Sequence, residues 1–243
     1  MGGVRPRDRT FVIDCFPASA ARYRDDHAIV AIDVIRATTL AVTAAASGRR
    51  CLIARDLDDA IRLRDSLGDA ILAGELGGHM PFGFDMNNSP ADLVERQDVE
   101  RPLVMLSTSG TELMLASAPA EAAYAVCLRN VAATARYIAP RHDRIAIIGA
   151  GSRGEFREED QLGCARLAAR LIESGFRAAD PASAEIVARW EGQPVSAIAG
   201  GNSVAYLRRT DQMRDYDFII ARLDDIDDVY AIDGNEIRSV SSA

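Results

Sequence analysis

Short apolar runs recur along this chain with helix-patterned stretches between them, and several of the runs are continuously apolar instead of alternating. Thr10–Phe16, Ala28–Val34, Cys51–Ala54 and Ala70–Ala73 read as strands. So do Leu103–Ser107, Ala122–Cys127 and Arg144–Gly149, with Tyr230–Asp233 the weakest of the set. A strand without alternation is covered on both faces, which is the condition of a parallel sheet packed between helices. The intervening segments supply the helices: Thr38–Ser47, Leu57–Ser66, Pro90–Arg96, Thr111–Ser117, Val131–Ala139, Glu158–Ser174, Ala182–Trp190 and Gly201–Arg209. The pattern predicts an α/β protein, a three-layer α/β/α arrangement with a largely parallel sheet. Its 243 residues suit one domain over 1–243, with two closely packed lobes, about 10–128 and 129–240, as the other division.

The longest apolar runs reach about seven to nine residues, far short of the roughly 20 that a membrane span needs. The stretch Met1–Arg9 is basic but is followed by no apolar signal core, so a soluble, cytoplasmic protein without a membrane partner is expected. Composition then removes whole classes of chemistry. All 28 basic residues are arginine; the chain contains no lysine. That excludes a Schiff base with pyridoxal phosphate, a Walker-type phosphate loop and the kinase strand lysine. A net charge of −8 argues against a nucleic-acid partner, because neutralising phosphates requires a basic stripe. Four separated cysteines, none in a CxxC pair, and three isolated histidines make a zinc site improbable. Carboxylates and arginines remain to do acid-base and metal chemistry.

In open α/β sheets, ligands bind beyond the carboxyl ends of the strands. Four of these turns are rich in polar residues. Asp33-Val34-Ile35-Arg36-Ala37-Thr38-Thr39 ends the second run, and Gly74-Glu75 opens a long turn that closes at Asn87-Asn88-Ser89-Pro90. Ser107-Thr108-Ser109-Gly110-Thr111 follows the fifth run, and Gly149-Ala150-Gly151-Ser152-Arg153-Gly154 the seventh.

The last of these is a literal GxGxxG after an apolar run, the pattern of a nicotinamide-dinucleotide site and hence of an NAD(P)-dependent oxidoreductase. Its context is wrong. No second strand ending in an acid lies about 20 residues on, and Glu158, Glu159 and Asp160 crowd the following helix start, where they repel a pyrophosphate. The same acids suit a hard cation: Mg²⁺ takes one or two protein carboxylates, water and substrate phosphate oxygens. Asp33, Glu75, Glu159 and Asp160 are the candidate ligands; acids at a helix N-terminus also complement its dipole, and for Glu158 that reading is preferred. Asp33 stands apart, since a carboxylate ending an apolar strand needs a compensating partner.

The hydroxyls and backbone N–H groups around Ser109, Gly110 and Thr111 can hold an anion, with a plain N-cap by Ser109 as the structural alternative. Ser89 and Pro90 read as an N-cap and first helical residue. Arg36, Arg129 and Arg153 sit where a guanidinium can fork onto a carboxylate or phosphate. Asp33 is followed two positions on by Ile35, which removes the haloacid-dehalogenase class with its DxD, and no GxSxG elbow is present.

Taken in order, these blocks resemble the 2-phosphosulfolactate phosphatase family. The resemblance is carried by Asp33–Thr39, Gly74-Glu75, Gly83-Phe84-Asp85, Asn88-Ser89-Pro90, Gly110-Thr111, Gly151-Ser152-Arg153-Gly154 and Glu159-Asp160, spread over nearly the whole chain. Three positions depart from the family pattern: Asn87 replaces the Gly before Asn-Ser-Pro, Ser109 replaces the Asn before Gly-Thr, and Leu76 follows Glu75 where a polar residue is usual. The resemblance implies a Mg²⁺-dependent phosphatase acting on a small phosphorylated 2-hydroxy acid, whose non-reacting end carries a sulfonate, carboxylate or phosphonate. Asp33, Arg36, Glu75 and Asp160 would be catalytic, with Asp33, Glu75, Glu159 and Asp160 toward the metal. Thr38, Asn88, Ser89, Ser109, Gly110, Thr111, Arg129, Ser152, Arg153 and Gly154 would contact the substrate. A homodimer is compatible with the resemblance, and a non-catalytic anion-binding relative is the remaining alternative beside the oxidoreductase.

Overall fold

The protein is described here by a computed structural model covering residues 8–240; residues 1–7 of the basic N-terminal stretch lie outside the described residues. Its first half alternates short strands and helices: β1 Thr10–Cys15, α1 Ala20–Tyr23, β2 Ala28–Ile32, α2 Ala37–Ala46, β3 Cys51–Ile53, α3 Leu57–Leu67, β4 Ile71–Gly74, α4 Pro90–Leu93, β5 Leu103–Leu106, α5 Gly110–Ser117 and β6 Ala123–Val126. The second half is richer in helix: α6 Val131–Ile138, β7 Arg144–Gly149, α7 Glu158–Glu173, β8 Arg177–Ala178, α8 Pro181–Trp190, α9 Asn202–Arg209 and α10 Met213–Ile220, closing with β9 Tyr230–Asp233 and β10 Glu236–Ser239.

All ten strands join in one sheet, ordered β4-β5-β3-β10-β9-β6-β2-β7-β1-β8. Two parallel blocks, β4-β5-β3 and β6-β2-β7-β1-β8, are joined by the antiparallel hairpin β9–β10. Antiparallel pairings at β3–β10, β10–β9 and β9–β6 make the two blocks run in opposite senses. Strands from both sides of residue 128 alternate, since β7 lies between β1 and β2.

The expected three-layer α/β/α architecture is what forms, and the strand side chains show why. In β2, Val30 and Ile32 pack on one face with Ile145 and Ile147 of β7, against Leu162 and Leu167 of α7 and Val131 and Ile138 of α6. Their neighbours Ile29 and Ala31 face the other way with Ala146 and Ile148, against Leu40 of α2 and Leu113 of α5. Strands β2 and β7 therefore feed two cores, and period-two polarity has no place in them. A smaller cluster, with Leu72, Val104, Leu106 and Ala60, seats α3 beside the β4–β5 end. The four cysteines are buried free thiols, and no helix among the described residues is long and apolar enough to cross a membrane.

Several elements differ from expectation. The helix expected over Pro90–Arg96 ends at Leu93. Helices α1 and α10 and strands β8 and β10 lie outside the elements that the sequence pattern predicts. In α10, Tyr216, Phe218 and Ile219 are buried along with the charged Asp215, so its apolar stripe is interrupted where sequence patterning needs it whole.

Candidate active site

The four polar turns converge. The residues after β2, β4, β5 and β7 line one cavity of about 320 Å³: Asp33, Ile35 and Arg36; Glu75, Gly77 and Gly78; Ser107, Thr108 and Ser109; and Ser152, Arg153, Glu155 and Arg157. Asn88 closes one side, and α9 roofs it with Asn202, Ser203, Tyr206, Leu207 and Arg209.

Asp33 is the centre of this arrangement. Its main chain is locked to the start of α2 by Thr38, whose hydroxyl donates to the Asp33 carbonyl (2.8 Å) and accepts from the Asp33 N–H (2.9 Å). The Ala37 N–H donates to Oδ1 (3.1 Å), while Oδ2 accepts no hydrogen bond among the described residues. Gly110 explains why the carboxylate fits: a Cβ there would lie 2.2 Å from Oδ2 and 2.3 Å from the Ala37 Cβ. Burial pushes the Asp33 carboxyl up to about 7, and the charges of Glu159 and Glu75 add to it.

Glu159 and Asp160, in the first turn of α7, are buried beneath the cavity wall. Asp160 clamps two turns together, accepting from the Val34 N–H (2.9 Å) and the Gly151 N–H (3.1 Å). Glu159 is different: its Oε2 is buried with no hydrogen-bond partner among the described residues. Burial raises both carboxyls above the usual range, and for Asp160 the charges of Asp33 and Glu159 add to the effect. Glu75 is fully engaged in holding its own wall. It accepts from the Thr108 N–H (2.8 Å) and hydroxyl (2.9 Å) and from the Gly78 N–H (2.6 Å).

Arg36 lines the cavity but is buried, and its guanidinium is held in an internal network. Its guanidinium pairs with Asp215 of α10 and donates to Asn88 Oδ1 (2.6 Å) and Asn87 Oδ1 (3.2 Å). Asp215 also accepts from the Ser89 hydroxyl (2.6 Å) and the Ala91 N–H (3.1 Å). Ser89 caps α4 as expected, accepting from the Asp92 N–H (3.1 Å). The N-cap expected of Ser109 does not form through its side chain; Ser107 Oγ accepts from the Thr111 N–H (3.0 Å) and Thr111 Oγ1 from the Ser107 N–H (3.0 Å). The Ser109 side chain is therefore not spent on capping the helix.

Of the substrate-contacting residues expected from sequence, Asn88, Ser109, Ser152 and Arg153 line the cavity. Thr38, Ser89, Gly110 and Thr111 lie behind the wall, against residues that do. Gly154 is not on the lining. Arg129 is a correction: it forks onto Asp225 (3.0 and 2.7 Å) and donates to Thr43 (2.9 Å), away from the cavity lining. The dinucleotide reading of Gly149–Gly154 also fails locally. The Gly151 N–H is taken by Asp160, Ser152 and Glu155 pair with each other, and α7 begins only at Glu158.

Sequence reasoning missed Asp215, Arg157 and the α9 wall, although Gly200-Gly201-Asn202-Ser203 before a helix is a legible turn signal. Tyr206 donates to the Gly78 carbonyl, tying α9 to the β4 turn.

Comparison with known proteins fits this geometry. A profile of the family described as 2-phosphosulpholactate phosphatase matches residues 16–234. A relative from Deinococcus radiodurans, named "Probable 2-phosphosulfolactate phosphatase", is 34% identical over 213 residues, covering 85% of this chain and 86% of the relative. One of the same name from Synechococcus sp. (strain CC9605) is 31% identical over 72% of this chain and 76% of its own. Another from Caldanaerobacter subterraneus subsp. tengcongensis is 34% identical over 55% and 57%. With a match across most of its length and the family's polar blocks gathered around one cavity, the chain belongs to the 2-phosphosulpholactate phosphatase family, a family of phosphoric monoester hydrolases.

Proposed function

We propose that the protein is a Mg²⁺-dependent phosphatase that hydrolyses the phosphate monoester of a small 2-hydroxy acid, 2-phosphosulfolactate or a close analogue. The observation that carries the reading is the buried carboxylate group formed by Asp33, on the cavity lining, with Glu159 and Asp160 behind it. None of these three carboxylates pairs with a guanidinium among the described residues: Arg36 is engaged by Asp215, and the chain has no lysine. Three adjacent carboxylates would repel a phosphate dianion unless a cation intervenes.

The donor set fits Mg²⁺. Among the described residues, no three His, Cys, Asp or Glu side chains form a ready-made cage, but Mg²⁺ usually takes only one or two protein carboxylates and keeps its waters. Asp33, through its unbonded Oδ2, and Glu159, through its orphaned Oε2, are the groups that would hold it. Bound there, Mg²⁺ would supply Lewis-acid polarisation of the phosphoryl oxygens.

The remaining tasks fall to the chain. Asp160 and Glu75 have both oxygens engaged with turn N–H and hydroxyl groups, and they set the positions of the walls. Ser109 and the start of α5 offer donors to the phosphoryl group. Arg153 has no ion pair or hydrogen bond among the described residues and serves to bind the acid end of the substrate. The test is a panel of phosphate esters assayed for phosphate release. A phosphorylated 2-hydroxy acid should exceed a simple alkyl phosphate by about tenfold or more in kcat/KM; equal turnover of the two would mean that the cavity reads no acid group.

A further inference from the structure

Four guanidinium groups line the cavity, and they are not equivalent. Arg36 is paired with the buried Asp215, and Arg157 donates to Glu155 Oε2 (2.5 Å). The guanidinium groups of Arg153, from the β7 turn, and Arg209, the last residue of α9, have no hydrogen bond, ion pair or ring contact among the described residues. That is unusual in this chain, where most of the other described arginines are tied to a carboxylate, a carbonyl or an aromatic ring. Two unengaged cations therefore face the cavity from two different walls.

The position of Arg209 is set by its helix. Tyr206 fastens α9 to Gly78, and Asn202 Nδ2 donates to Glu155 Oε2 (2.9 Å), so the α9 backbone is pinned to two of the polar turns. A basic residue in the last turn of a helix also complements the helix dipole, but that applies equally to Arg208, which is exposed like Arg209 and does not line the cavity. The neighbouring arginine separates the two roles.

We infer that Arg209 is a specificity-determining residue that, together with Arg153, grips the non-reacting acid group of the substrate. A planar guanidinium fork suits a carboxylate or sulfonate oxygen pair. Asp33 and the Glu159 and Asp160 behind it concentrate negative charge at the β2 turn, so the free cations serve the end of the molecule away from the metal and phosphoryl group. This assignment rests on the phosphatase reading.

The experiment compares Arg209→Gln and Arg208→Gln with wild type on 2-phosphosulfolactate and on p-nitrophenyl phosphate, which lacks an acid group beyond the phosphate. Arg209→Gln should raise KM for 2-phosphosulfolactate by about tenfold or more, the size of a lost charged hydrogen bond. Its kcat, and both constants for p-nitrophenyl phosphate, should stay within about twofold, Arg209→Lys should recover part of the loss, and Arg208→Gln should match wild type. Equal losses on both esters, or an Arg209→Gln profile matching that of Arg208→Gln, would overturn the assignment. If wild type hydrolyses neither ester, the phosphatase reading fails, and calorimetric binding of 2-phosphosulfolactate decides on Arg209. Binding weakened about tenfold in Arg209→Gln alone supports the assignment; equal binding, or none to wild type, overturns it.

Discussion

Asp33→Asn is expected to lower phosphate release by about 10²-fold or more, a loss of the size seen when a strong transition-state electrostatic contact is removed, while the fold survives. The amide keeps an oxygen for the Ala37 N–H, and the Thr38 bonds involve only the Asp33 main chain. What disappears is a carboxylate that is buried beside Glu159 and Asp160, so the melting temperature should hold or rise. Steady-state kinetics and a thermal melt on the same preparation separate the two effects. A folded variant that releases phosphate at the wild-type rate would remove Asp33 from the mechanism.

Asp215→Ala is expected to give the largest loss of stability. Arg36 and Asp215 side chains are 3% and 2% exposed, and the carboxylate also serves the Ser89 hydroxyl and the Ala91 N–H. Removing one partner of a buried ion pair leaves an uncompensated charge and costs about 3–5 kcal/mol, a large share of the roughly 5–15 kcal/mol that keeps a domain folded. For a chain of this size the melting temperature should fall by on the order of 10 °C. Replacing both members, Arg36→Met with Asp215→Ala, should be milder than Asp215→Ala alone, because no buried charge is stranded. A melting temperature for Asp215→Ala within about 2 °C of wild type would show that the pair contributes little.

The contrast between these two residues shows what was legible in the sequence. Asp33 is readable because it ends an apolar strand, where a charge has no local reason to sit, and the four polar turns are readable because each follows such a strand. Asp215 is not, because an acid within Met213–Ile220 looks like part of a solvated helix face. Its partner lies 179 residues away along the chain, and only tertiary packing shows that the face is buried. Arg129 failed for the same reason in reverse: it follows β6 as a ligand-binding arginine should, but Asp225, 96 residues on, takes its fork. Ser109 occupies the N-cap position that local rules assign it, yet Ser107 and Thr111 satisfy each other across the same turn. In β10, Glu236-Ile237-Arg238-Ser239 is too polar to announce a strand at the middle of the sheet, although Asp233-Gly234-Asn235, with Gly234 at φ 61°, is a usable hairpin signal.

Metal dependence is the most direct test of the proposed chemistry. Phosphate release from 2-phosphosulfolactate should be measured on the wild-type chain after exhaustive chelation and again during a Mg²⁺ titration. The buried carboxylates Asp33 and Glu159 predict that activity disappears in chelator and returns with added Mg²⁺. Full activity in excess chelator would contradict the role given to them.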